Sequence, residues 1–96
     1  ARSVTIGSRE TRKAVRRGEI RLVLLASDGS ERDRERLLRL VEEAQVPSRI
    51  VALREELGAW VGEGPVAVLG IRDPNLAAAV RAGLDAGPEE NGGEKT

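Results

Sequence analysis

Cysteine, histidine, methionine, phenylalanine and tyrosine are all absent from this chain, and Trp60 is its only aromatic residue. Without cysteine there can be neither a disulfide nor a thiolate zinc site, which suits a reducing, intracellular compartment. Without histidine or cysteine the common nucleophile–base pairs cannot be assembled, so no catalytic residues are assigned and a non-enzymatic role is expected. No apolar run approaches the roughly 18–20 residues of a membrane span, and no charged start leads into a signal-peptide segment. A soluble cytoplasmic protein with no cofactor or metal is the expectation.

What is abundant is arginine. Of the basic residues only Lys13 and Lys95 are lysines, and the formal net charge of the 96 residues is zero. The neutrality hides an asymmetry, because residues 1–21 carry seven basic side chains against Glu10 and Glu19. Residues 85–96 carry Lys95 against Asp85, Glu89, Glu90 and Glu94. Opposite charge at the two ends says more about partners than the sum does. At this length one small domain is expected, burying only about 60–65% of its unfolded surface.

Four helix signals alternate with four apolar runs. Ser8 is the expected N-cap of the first helix and Gly18 its terminator; Ser30, with Asp33 three residues on, caps the second. Leu37, Leu38, Leu40, Val41 and Ala44 fall on one arc of that second helix and predict a broad buried face. "REELGAWVG" predicts a third helix with Leu57, Val61 and Trp60 inward. Asp73-Pro74 opens a fourth that buries Leu76, Val80 and Leu84. The runs at 3–7, 22–27, 49–53 and 65–71 suit strands, and unbroken apolar runs suit strands covered on both faces. A βαβαβαβα order implies an α/β sandwich around a largely parallel or mixed sheet. After Leu84 the composition turns polar and acidic, predicting a disordered tail over 85–96.

The densest signal is "IGSRETRKAVRRG". In a helix the five basic side chains Arg9, Arg12, Lys13, Arg16 and Arg17 span about 140° of one face, with Thr11, Ala14 and Val15 opposite. Arg9 and Arg12 occupy the first turn, where the helix dipole disfavours cations by a few tenths to about 1 kcal/mol. Solvation alone would be served by mixed charges, as on residues 31–43. An anionic partner is the better explanation, and guanidinium forks match phosphate oxygens and the O6/N7 edge of guanine.

These residues resemble the kink-turn RNA-binding ribosomal protein superfamily, which includes archaeal ribosomal protein L-seven-Ae, its L-thirty-e-like relatives and the small bacterial YlxQ-type proteins. The family's Gly-x-Asn-Glu-x-x-Lys motif corresponds to Gly7-Ser8-Arg9-Glu10-Thr11-Arg12-Lys13. "AVRRGEIRLVLLASD" is similar to its continuation into the central strand, and "VPSRIVALREELGAWVG" to its second signature, ending here in Leu57-Gly58. "VAVLGIRDPNLAAAVRAGL" looks most like the YlxQ-type branch. The resemblance implies a three-layer α-β-α sandwich around a four-stranded mixed sheet, a single domain over residues 1–84.

It further implies a monomer that binds structured RNA, ribosomal or other kink-turn RNA, in association with translation, and neither DNA nor membrane. The implied RNA-binding residues are Gly7, Ser8, Arg9, Glu10, Arg12, Lys13, Arg16 and Arg17, with Gly58, Gly62, Glu63 and Pro65 in a second segment. Lys13 would donate to a guanine edge or phosphate, and Glu10 would accept from a base amine or orient its cationic neighbours. Two positions depart from the pattern: Arg9 replaces the Asn, and "GEGPV" presents Glu63, Gly64 and Pro65 where the family has apolar residues. The family also places a helix ahead of its first strand, whereas Ala1 lies a few residues before "VTIG". Either the chain is trimmed or a covering helix is missing, and the second case leaves part of the sheet exposed. A protein-interaction adaptor with the same fold is the alternative expectation.

Three smaller features are read as structural. Ser27, Asp28 and Ser30 form a turn with an N-cap. Asp28, Glu31 and Asp33 lack the Gly-centred spacing of a calcium loop. Gly58, Gly62 and Gly64 read as loop flexibility, since they precede a strand instead of following one.

Overall fold

The computed structural model describes residues 3–86; of the tail expected over 85–96, residues 87–96 lie outside them. The elements follow the expected alternation: β1 (Val4–Ile6), α1 (Ser8–Arg16), β2 (Leu22–Ala26), α2 (Glu31–Ala44), β3 (Ser48–Ala52), α3 (Arg54–Trp60), β4 (Val68–Ile71) and α4 (Pro74–Ala86). The strands form one mixed sheet in the order β1-β4-β2-β3. Strand β4 is antiparallel to both β1 and β2, and β3 is parallel to β2.

Alternation along β2 divides the core in two, because successive side chains point to opposite faces of a strand. Val23 and Leu25 join Ala14, Val15, Leu37, Val41 and Val68 beneath α1 and α2. Leu22, Leu24 and Ala26 join Leu57, Leu69, Ile71 and Ala77 beneath α3 and α4. All five residues of β2 are buried, which is why this segment is an unbroken apolar run. The result is the expected α-β-α sandwich.

The helix ends carry recognisable chemistry. Gly18 and Glu19 donate to the carbonyls of Val15 and Ala14, at 3.0 Å each, which terminates α1 in a Schellman motif. Ser30 Oγ accepts from Asp33 N at 3.3 Å and caps α2 as expected. Helix α2 ends in the same way as α1, with Gln45 N on Glu42 O (3.2 Å) and Val46 N on Val41 O (2.9 Å). Here, however, the left-handed position (φ 59°, ψ 39°) is held by Gln45. A side chain costs about 1–2 kcal/mol there, partly offset by the greater unfolded-state freedom of glycine. Gln45→Gly is therefore expected to stabilise the fold by about 0.5–1 kcal/mol, seen as a higher urea midpoint at unchanged m-value. A lowered midpoint would show that the Gln45 side chain contributes more than its backbone strain costs.

Three inward assignments are corrected. Trp60 is 56% exposed and Leu76 39% exposed, and Ala44 is exposed as well. Helix α3 has only seven residues, of which Leu57 and Gly58 are buried, and Trp60, about 110° round from the middle of that narrow face, falls on its exposed flank. In α4 the buried residue is Ala77, with Val80 and Leu84 partly buried against the same core. Leu76, one position earlier, flanks that stripe. Trp60, Leu76 and Val80 wall an apolar groove of about 380 Å³ whose lining includes Val4, Leu24, Leu69 and Ile71, so part of this sheet face is left open between α3 and α4.

Asp85 belongs to α4. Its two carboxylate oxygens accept from Arg49 Nε and Nη2 at 2.9 and 3.0 Å, tying the last turn of α4 to the edge strand β3. This hydrogen-bonded pairing holds the Asp85 carboxyl below its ordinary pKa and raises that of Arg49. Both groups are solvent-accessible, so the contribution to stability is small.

Candidate nucleic-acid interface

Strand β1 delivers the chain to α1 through Gly7, whose φ of 97° and ψ of 157° define the N-cap. Only glycine adopts this region at low cost. The cap is thus one residue earlier than expected: Ser8 is the first helical residue, and its Oγ accepts from Arg12 Nη1 at 2.7 Å instead of capping. No side chain caps the first turn, so its N–H groups are left to solvent or ligand.

The inward face of α1 is Thr11, Ala14 and Val15, all buried. Thr11 Oγ1 and Thr5 Oγ1 share a buried hydrogen bond of 2.8 Å, which locks the first turns of α1 onto β1. Gly70 opposite Thr5 makes the space, since a Cβ there would collide with Thr5 Oγ1 and lie 3.0 Å from both Ile20 Cδ1 and Thr11 Cγ2. The register of α1 is set by this contact, and its outward face follows.

That face carries Arg9, Lys13, Arg16 and Arg17 exposed and Arg12 partly so. Among the described residues, only Lys13 has a carboxylate within 4.0 Å, the exposed Glu10 at the limit of 4.0 Å. Arg9, Arg12, Arg16 and Arg17 make no ion pair with any described residue. Among the described residues, then, five cations share one helix face with a single, loosely held carboxylate between them.

The second segment reaches the same end of the sheet. Gly7 N donates to Val68 O at 2.9 Å, and Val68 is three residues past Pro65, which places Pro65 no more than about 16 Å from the start of α1. Gly62, Glu63 and Pro65 are exposed there. Gly58 is not, and it is not a source of flexibility. Glu63 N donates to Gly58 O at 2.8 Å and Val66 N to Arg54 O at 2.9 Å, so the segment after α3 folds back along the helix. Of the expected residues, Gly58 is buried in α3, those from Gly7 to Arg17 follow α1 and its cap, and Gly62, Glu63 and Pro65 are exposed in the segment after α3.

One feature of this end had no sequence signal. Asp28 does not serve α2; its Oδ1 accepts from Arg54 N at 2.8 Å and its Oδ2 lies 3.6 Å from Arg54 Nε. The carboxylate caps α3 across the sheet because β2 and β3 run parallel and their exit loops are neighbours. It also anchors Arg54, an exposed cation, at the site's margin.

Comparison with known proteins gives two results. Residues 1–80 match the model of the ribosomal protein L7Ae/L30e/S12e/Gadd45 family. A solved structure described as a protein with unknown function from Bacillus halodurans is similar in fold, with a TM-score of 0.81 and 29% sequence identity, covering 83% of this chain and 81% of that one.

Proposed function

We propose, from the premise that the chain belongs to the ribosomal protein L7Ae/L30e/S12e/Gadd45 family, that it is a non-enzymatic RNA-binding protein of the translation apparatus that recognises kink-turn-like RNA. The observation that carries this is the face of Arg9, Arg12, Lys13, Arg16 and Arg17, met among the described residues by Glu10 alone, opening at a helix start that no side chain caps. An A-form duplex keeps its major groove too narrow for side chains, whereas a sharply bent RNA opens it, which favours a structured target. Lys13 and Arg9 are assigned to a guanine edge or phosphate, Glu10 to a base amine or to orienting its neighbours. The segment around Gly62, Glu63 and Pro65 flanks the bend. Similarity to the YlxQ-type branch and a cytoplasmic, monomeric state belong to the same proposal.

The test is binding to a kink-turn hairpin and to the same hairpin with its sheared G·A pairs converted to Watson–Crick pairs. The first should bind at least tenfold more tightly. Arg9→Ala and Lys13→Ala should each weaken it by about 1–3 kcal/mol, the range for a base-edge contact. Equal, weak binding to both hairpins would reduce the assignment to nonspecific RNA contact. Absence of binding at moderate salt would favour an interaction adaptor, the role that the exposed Glu63 carboxylate, unfavourable beside phosphate, would suit.

A further inference from the structure

The basic face of α1 does not stop at Arg17. Beyond the Schellman turn the chain enters β2 through Arg21, an exposed residue at the end of the sheet opposite Gly7. Arg21 lines two shallow clefts. One, of about 210 Å³, is bordered by Val15 and Gly18 at the end of α1. The other, of about 150 Å³, has Arg21 on one side and Arg81 of α4 on the other, over Ala77 and Ala78. Arg21 is therefore the bridge between the α1 layer and the α4 layer.

Neither cleft has an acidic residue in its lining. Of the nearby acids, Glu19 pairs with Arg72 at 3.4 Å, and Asp85 spends both carboxylate oxygens on Arg49 and feels Arg81 only through space. Among the described residues, neither Arg21 nor Arg81 has a carboxylate within 4.0 Å. Proximity to the end of α1 gives Arg16 and Arg17 a favourable dipole interaction, whereas Arg81 stands in the middle of α4, one turn before Asp85, whose carboxylate it helps to stabilise from a distance.

We infer that Arg21 and Arg81 form a second phosphate-contacting site, continuous through Arg17 with the face of α1, which grips the backbone of the duplex running out from the bound RNA bend. The inference rests on the RNA-binding proposal and extends it. Helix α1, about 14 Å long at 1.5 Å per residue, spans the contact with the bend. The pole beyond it would meet backbone further along the stem. Guanidinium groups set on opposite sides of a shallow cleft suit a phosphate chain, which presents oxygens on two sides.

The experiment compares a minimal kink-turn hairpin with the same hairpin extended by about ten base pairs, using the full chain and two variants. R21A/R81A should bind the minimal hairpin as the parent chain does. It should bind the extended one about tenfold more weakly, with a log–log salt slope shallower by roughly 1.4–1.8, about 0.7–0.9 for each lost phosphate contact. R9A/K13A should weaken binding to both RNAs. Equal affinity of R21A/R81A and parent for the extended hairpin overturns the second site while leaving the first intact. Loss on both RNAs alike overturns it too, because the pole would then act on the bend or the fold. If R9A/K13A binds both RNAs normally, the RNA-binding proposal itself fails and the inference with it. Exposed positions at both arginines make normal folding the expectation, checked by circular dichroism.

Discussion

Alanine at Gly58 is expected to destabilise the protein by about 2–4 kcal/mol, although the position is helical and alanine is the better helix former. The two effects oppose each other, and magnitude decides. Replacing a helical glycine by alanine is favourable by about 1 kcal/mol on propensity alone. Against this, a Cβ at Gly58 would overlap the carbonyl oxygen of Gly64, lie 2.7 Å from its carbonyl carbon and lie 3.0 Å from Glu63 O. These are backbone atoms, which cannot rotate aside as a side-chain end can. The segment cannot simply lift either, because Gly58 O accepts from Val61 N at 3.1 Å and Glu63 N at 2.8 Å. Relief requires displacing the return segment or straining α3, in the range of severe overpacking.

Gly83 in α4 supplies the control, since a Cβ there meets nothing within 4 Å. Gly83→Ala should stabilise by about 1 kcal/mol while Gly58→Ala does the reverse. Urea unfolding of the two variants checks the sign. Equal stabilisation by both would mean that the close approach of Gly64 to α3 is absent in solution, and with it the expected position of Glu63 and Pro65.

The second large effect is electrostatic. Replacing Arg9, Arg12, Lys13, Arg16 and Arg17 together by glutamine should abolish measurable binding to a minimal kink-turn hairpin. If all five touch phosphate in the parent chain, its log–log salt slope is roughly −4, a loss of a few hundred-fold in affinity between 50 and 200 mM salt. The variant should retain at most a shallow slope. Its stability should change little, since four of the five groups have no carboxylate partner among the described residues, and relief of the dipole penalty at Arg9 and of mutual repulsion offsets the favourable dipole interaction lost at the end of α1. Loss of binding with an unchanged or raised Tm marks a surface shaped for a partner. Retention of the parent slope would move the interface elsewhere, and a lowered Tm would mean that the face serves the fold.

Much of this was legible beforehand because it is local. The four apolar runs, the Ser30 cap, the Gly18 stop and the single-sided spacing of the α1 cations follow from residue chemistry and helix period. The errors share one cause. Helical spacing sets Trp60 near Leu57 and Leu76 near Val80, yet a helix of seven residues has room on its buried face for Leu57 and Gly58, and α4 is held to the sheet by Ala77. Spacing does not say which side of a helix a sheet will cover.

The sequence alone, then, determined the element order, the charge on α1 and the family motif, all of which are set within a few residues by backbone geometry and side-chain type. Only the tertiary structure decided that Gly7 caps α1, that Asp28 caps α3 across the sheet and that Gly58 is a contact point and not a hinge. The same holds for Arg21 and Arg81, which line one cleft from the start of β2 and from α4. Each of these depends on strand order, which brings together residues far apart in the chain through packing that no short window of sequence contains.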